Sequence, residues 1–241
     1  MDKWLDINTL FGPLPSASVD LSIEDLQSLM RKHGISACCT LSTIGVLLDH
    51  NTGNAATLAA CREVSCLIPA ATVNPIAYFG GEGPAMQFQE DGFKIAHFFP
   101  SWQGWPYAFA PFRTLLSTLA ARDMPVIVHL DGPGSATQLL DSVGDIACRL
   151  VLADVDDRQV SEAVALMRRH PGLLVETSGL SATGAVKLLV AAVGAERVLF
   201  GSGAPAKPLG SALASIRHSG LSDADMERIM GQNARSLLGL A

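Results

Sequence analysis

Charge is scarce in this chain: 17% of its 241 residues are charged, while 49% are apolar. A chain of that composition buries a core instead of staying disordered. The formal net charge is −6, so the basic surface that nucleic acid or an anionic membrane would need is missing. Long apolar runs are missing as well. The richest, Val186–Val193, already contains Lys187, so nothing reads as a bilayer span. The chain opens Met1-Asp-Lys-Trp-Leu-Asp6 without a basic segment leading into an apolar one, so it does not read as a signal peptide. A cytoplasmic protein is expected. Cysteine is sparse and odd in number, five residues at irregular positions, which fits reduced thiols better than a disulfide framework. Repeats, linkers and low-complexity tracts are absent, so residues 1–241 are expected to form a single domain.

What is present is alternation. Short β-branched runs are expected as strands at Trp4–Leu10, Ser36–Leu41, Leu67–Asn74, Phe93–Phe99, Val126–Leu130, Leu150–Val155, Leu173–Thr177 and Arg197–Gly201. Helical periodicity falls between them at Ile23–His33, Ala55–Val64, Phe112–Arg122, Ala136–Val143, Gln159–His170, Ala185–Val193 and Ser211–His218. Only Gly80–Asp91 is weak as a helix. A last amphipathic stretch, Asp223–Leu240, begins after Ser222 as cap and is expected to close one end of the domain. Strand–helix alternation implies parallel pairing with right-handed crossovers. Eight such units in a chain of this length favour an α/β fold of the (β/α)8 TIM-barrel type over an open doubly wound sheet.

In such a barrel the chemistry gathers where strands end. Two of the six histidines fall there, His97 and His129. His129 ends the apolar run Pro-Val-Ile-Val-His, and Asp154 ends Leu-Val-Leu-Ala-Asp. A carboxylate in such a strand needs a partner, which could be His129, an arginine or water. His97 and Lys94 are three residues apart on one strand, so parity allows only one of them to face inward. Adjacent Cys38 and Cys39 are expected on opposite faces of their strand, as buried small side chains.

These segments together resemble the amidohydrolase superfamily, in the amidohydrolase-related (amidohydrolase 2) branch that also holds carboxy-lyases similar to aminocarboxymuconate semialdehyde decarboxylase. The resemblance runs over nearly the whole chain. It is carried by Asp6-Ile-Asn-Thr-Leu-Phe-Gly12, Gly92-Phe-Lys-Ile-Ala-His-Phe-Phe-Pro100, Pro125-Val-Ile-Val-His129, Leu150-Val-Leu-Ala-Asp154, Val175-Glu-Thr-Ser178, Val198-Leu-Phe-Gly-Ser202 and Ile229-Met-Gly-Gln-Asn-Ala-Arg235. It implies a distorted barrel, zinc or another divalent ion, and hydrolysis or non-oxidative decarboxylation of small molecules. Homodimers are frequent in the branch, although no surface stripe here specifies one.

The departures from the family pattern are substantial. The family's His-x-His metal pair on the first strand is Asn8 and Leu10 here. The fifth-strand histidine is kept as His129, the sixth-strand histidine is Asp154, and the eighth-strand aspartate is Gly203. His97 stands where many relatives have lysine. A catalytic zinc needs about three protein donors, and leucine and glycine offer none. A bound metal is therefore not expected, and three readings stay open. One is a catalytically inactive protein binding a small molecule at a polar mouth built from Asn8, Asn74, His97, Ser178 and Ser202, with Trp102 and Trp105 as an aromatic wall. Another is a metal-independent lactone or ester hydrolase using His129 and Asp154 as an acid–base pair. Ser202 would be its nucleophile only if a Ser-His-Asp set formed without the usual Gly-x-Ser-x-Gly elbow. The alternative is a divalent-metal hydrolase or decarboxylase with an atypical cage such as His129, Asp154 and His97.

Overall fold

The computed structural model describes residues 4–240. Its strands are β1 (Leu5–Leu14), β2 (Val19–Leu21), β3 (Ala37–Ser42), β4 (Leu67–Thr72), β5 (Ile95–Phe98), β6 (Val126–His129), β7 (Leu150–Ala153), β8 (Leu174–Glu176) and β9 (Val198–Leu199). From β1 through β3 to β9 each strand pairs in parallel with the next. The sheet then closes on itself. The Ile7 N–H donates to the Phe200 carbonyl at 3.0 Å, Leu10 N–H to Ala204 at 2.7 Å, and Gly203 N–H to Asn8 at 2.9 Å. The result is a (β/α)8 barrel with β2 outside it.

β2 is the strand that the sequence pattern did not predict. β1 overruns Leu10, turns through Pro15–Ala17 and receives β2 antiparallel, with Gly12 opposite Leu21 and Leu14 opposite Val19. The run Gly-Pro-Leu-Pro reads as a turn, yet the first proline of the pair stands on an edge, where a missing N–H is tolerated. The weak connection is also structured: Gly83–Asp91 is a helix, started by Pro84 and stopped by Gly92 at φ +85°. The helices Ile23–His33 and Ala185–Val193 have the predicted bounds, and the Ser22 hydroxyl accepts the Asp25 N–H at 3.1 Å.

Two apolar layers follow from strand parity. Leu5, Ile7, Cys39, Ile95, Ile127, Val151 and Leu199 fill the barrel interior, while Cys38, Ala96, Phe98, Val128, Leu152 and Val175 pack outward against the helices. The chain's last helical stretch caps the interior with Ala234, Leu237 and Leu238. It is not one regular helix. A π turn at Arg228–Gln232 sends the Asn233 N–H to the Arg228 carbonyl, and the Ile229 carbonyl is thereby left to accept the Phe200 N–H at 2.9 Å. The final helix is thus stitched to the end of β9. No helix among the described residues is long and apolar enough to cross a membrane.

Candidate active site

His129 and Asp154 leave neighbouring strands side by side. β6 and β7 pair His129 with Ala153, so the next residue, Asp154, comes abreast of the imidazole. Asp154 takes φ +60°, a left-handed conformation that aspartate tolerates better than most residues. Its Oδ2 lies 2.7 Å from His129 Nδ1, and its Oδ1 lies 2.6 Å from Lys207 Nζ and 3.1 Å from the Ser178 hydroxyl. Burial alone would raise the Asp154 carboxyl, but the His129 and Lys207 charges outweigh it and hold the group below the ordinary carboxylate range. The His129 ring stacks on Phe99 at 4.1 Å between centroids, and its Nε2 is buried without a partner among the described residues.

Glu176 supports this arrangement from the adjacent strand. It is fully buried, and its carboxylate accepts the Asp154 N–H at 2.9 Å, the Ser178 N–H at 2.7 Å and the Ser178 hydroxyl at 2.6 Å. It therefore fixes the backbone that aims Asp154. Burial and then the Asp154 charge push the Glu176 carboxyl up. A Cβ on Gly201 would overlap the Glu176 carboxylate, which is why the residue opposite it on the β9 side is glycine. Asp6, also buried, accepts the N–H groups of Asn8 and Ser202, both at 3.0 Å, and burial pushes its carboxyl up to about 7.

The pair opens on a cavity of about 290 Å³ at the carboxyl ends of the strands, walled by Asn8, Leu10, Phe99, Trp102, Asp131 and Lys207. Lys207 and Asp156 separate it from a second hollow of about 360 Å³ lined by Ser178, Ser181, Ser202 and Ser211. A larger hollow of about 490 Å³ lies outside the barrel, between the helices His50–Glu63 and Gly83–Asp91, away from this charged network.

The structure brings Asn8, Trp102, His129 and Asp154 together in the first cavity. Ser178 and Ser202 border the second instead, because Ser178 is turned to Glu176 and the Ser202 hydroxyl accepts the Ala204 N–H at 3.1 Å. Three expected site residues lie elsewhere. Trp105 is buried among Phe98, Phe109 and Phe112, packed between β5 and the helix Ala110–Ala120, so of the two tryptophans Trp102 is the one at the cavity wall, beside Phe99. Asn74 caps the turn Pro75–Ala77, its side-chain oxygen accepting the Ile76 N–H. His97 faces inward, with Lys94 outward and exposed, but the imidazole is sealed in the barrel 5.7 Å from the His129 ring. Neither of its nitrogens has a partner, and burial, followed by the nearby His129, drives its pKa well below the ordinary histidine value.

The donor set does not fit the family's metal. Positions 8, 10 and 203 hold asparagine, leucine and glycine, and both Asp154 oxygens are already engaged, one by the His129 ring and one by the Lys207 ammonium. Among the described residues no three His, Cys, Asp or Glu side chains are grouped to hold an ion. The glycine matters for a second reason. Gly203 has φ +69°, and a Cβ there would come within 3.3 Å of the Lys207 side chain. An aspartate at 203 would therefore compete with Lys207 for the same space.

Residues 85–240, well over half of the chain, match the amidohydrolase family that is described as Amidohydrolase. The chain belongs to the amidohydrolase family. Among solved structures it is similar to a 2,6-dihydroxybenzoate decarboxylase complexed with 2,6-dihydroxybenzoate, at 15% identity and TM-score 0.81 with all of both chains covered. A Pseudomonas putida protein provisionally named 2-pyrone-4,6-dicarboxylic acid hydrolase aligns at 18% identity and TM-score 0.78, covering 99% of this chain and 98% of that one. A dihydroxybenzoic acid decarboxylase from Polaromonas with bound manganese and the inhibitor 2-nitroresorcinol aligns at 16% identity and TM-score 0.74, over 99% and 97%. At these identities the likeness is one of fold. No curated protein matches the chain significantly in sequence.

Proposed function

We propose that this amidohydrolase-family barrel is a metal-independent hydrolase of small lactones or esters, working through His129 and Asp154. The observation that carries this reading is the 2.7 Å contact between His129 Nδ1 and Asp154, which leaves the unpartnered Nε2 as the proton acceptor. A carboxylate on Nδ1 holds the ring in one tautomer and stabilises the imidazolium that forms. In the first step Nε2 takes a proton from water, the water oxygen bonds to the carbonyl carbon, and the carbonyl π pair moves onto oxygen. The tetrahedral intermediate then collapses: the carbon–alkoxide bond breaks and the imidazolium returns its proton to the leaving oxygen. Activated esters suit a site with limited electrophilic help better than amides do. Leu10, Phe99 and Trp102 give the cavity an apolar wall for a small ring.

The reading is tested by screening lactones and esters with wild type and His129→Ala. Hydrolysis that depends on His129 supports it, and equal background rates in both overturn it in favour of a protein that only binds its small molecule. Metal analysis covers the remaining alternative. Stoichiometric zinc or manganese whose removal abolishes activity would make the protein a divalent-metal hydrolase or decarboxylase.

A further inference from the structure

We infer that Lys207 is the electrophile of this site, its ammonium holding the oxygen of an uncharged carbonyl in the region where the family's pattern would place a metal ion. The inference rests on the hydrolase reading and adds to it a residue and a substrate preference. Lys207 leaves the loop after β9, where its N–H donates to the Gly203 carbonyl at 3.0 Å and closes a turn. From there the side chain crosses above Gly203, where a Cβ would crowd it at 3.3 Å, and delivers Nζ to Asp154 Oδ1. The glycine at 203 thus leaves room for the path that the lysine takes. An ammonium has three donors, and only one has a protein partner among the described residues. The side chain is 37% exposed and borders both hollows, so its remaining N–H groups are open to a ligand beside His129.

The charges around the cavity select what that ligand can be. Asp131, Asp154 and Asp156 all line it. Asp156 is paired with Arg158 at 2.6 Å, whereas Asp131 accepts the Tyr107 hydroxyl at 3.0 Å and has no cationic partner among the described residues. A carboxylate ligand would meet the Asp131 charge and the Asp154 charge, whereas a neutral lactone or ester meets only an N–H donor for its oxygen. In the step written above, the π pair of the carbonyl moves onto the oxygen that Lys207 holds. Lys207 keeps its proton throughout, and the pair returns to reform the carbonyl when the alkoxide leaves.

The test reads the carbonyl itself. Carbon-13-labelled δ-valerolactam, an uncharged and slowly reacting relative of a lactone, is bound to wild type, Lys207→Met and Lys207→Arg, and its carbonyl stretch is followed by difference infrared spectroscopy. The expected result is a band shifted to lower wavenumber in wild type, held in Lys207→Arg and lost in Lys207→Met. Alongside it, kcat/KM for a lactone falls about 10²–10³-fold in the methionine variant. Should Lys207→Met not fold, Lys207→Gln carries the same comparison. An unshifted band in wild type, an equal shift in wild type and the neutral variant, or no lactam binding overturns the inference. A shifted band in a wild-type protein that hydrolyses nothing would instead break the hydrolase reading while leaving Lys207 assigned to the carbonyl.

Discussion

Buried carboxylates occupy two parts of the barrel rim and meet different fates there. Along the arc from β6 to β8, Asp154 meets the Lys207 ammonium and the His129 ring, and it stays ionised despite burial. At the seam where β9 meets β1, the favourable partners of Asp6 are dipoles, two backbone N–H groups and the Ser202 hydroxyl, and the one charge that acts on it is the like charge of Glu176. Those dipoles lower its pKa, but burial outweighs them and the carboxyl is pushed up to about 7. Glu176 lies between the two, saturated with donors yet raised by burial and by the Asp154 charge. A buried carboxylate on this rim therefore keeps its charge where a cation has been brought to it. The arc is built for a charged intermediate, and the seam for holding backbone together.

The comparison breaks most directly at Asp154. Asp154→Asn keeps the size of the side chain but removes the charge that fixes the His129 tautomer and holds Lys207. Turnover of whichever ester or lactone wild type hydrolyses should fall about 10³-fold. A loss under tenfold in steady-state kinetics would mean that the pair is structural. Glu176→Ala acts next, through geometry. It strips the Asp154 and Ser178 backbone N–H groups of their acceptor in a closed interior, at a cost of about 3 kcal/mol in urea unfolding. Activity should drop with it, because the Asp154 backbone sits at φ +60° and loses its anchor. A variant as stable as wild type would show that water replaces the carboxylate.

The seam is tested by pH. The folded-state pKa of Asp6 lies above its unfolded value, so the folded chain holds an extra proton between about pH 4 and 7. This contribution to stability is complete below the unfolded pKa and is lost as pH rises through 7, with a slope of up to about 1.4 kcal/mol per pH unit. Asp154 contributes with the opposite sign. Its pKa is depressed, so its stabilisation is present above the ordinary carboxylate range and is lost as pH falls through the folded value. Glu176, raised by burial, adds the same sign as Asp6, and His97, lowered by burial, the opposite one, so the Asp6 part is read as the difference between wild type and Asp6→Asn. That difference in unfolding free energy should shrink as pH rises from about 4 toward 7. An unchanged slope in that variant would place the titrating group elsewhere.

Much of the scaffold was legible because it follows from periodicity and caps. The eight parallel strands, the helix Ile23–His33 behind Ser22 and the opposite faces of Cys38 and Cys39 all come from local rules. His129 and Asp154 stood out as polar ends of apolar strands. Glu176 gives the same signal in Leu-Val-Glu, but the Thr177 and Ser178 that follow it look like the strand end and draw attention past it. Lys207 gives none, since a lysine in a proline-rich loop looks like any solvated charge until the chain closes over Gly203. Trp102 and Trp105 show the limit at short range. Three residues apart around Gly104, they diverge because the backbone turns left-handed at φ +73° between them, sending one to the cavity and the other into the helix layer.

Gly203→Ala should have the smallest effect and makes the sharpest probe of where arc and seam meet. The new methyl group adds strain at a left-handed position, about 1 kcal/mol. It would also stand 3.2 Å from Ser178 Cβ and 3.3 Å from Lys207 Cδ. Ser178 is fixed by Glu176, so the flexible lysine is the side that gives, by a few tenths of an ångström, and its hold on Asp154 loosens. His129 and Asp154 are untouched. The thermal midpoint should fall by only a few degrees, while kcat drops several-fold and KM changes little, because what is lost is help to the transition state and not room for the substrate. If kcat stays at the wild-type value with the midpoint lowered as expected, the space above Gly203 is not what positions the lysine.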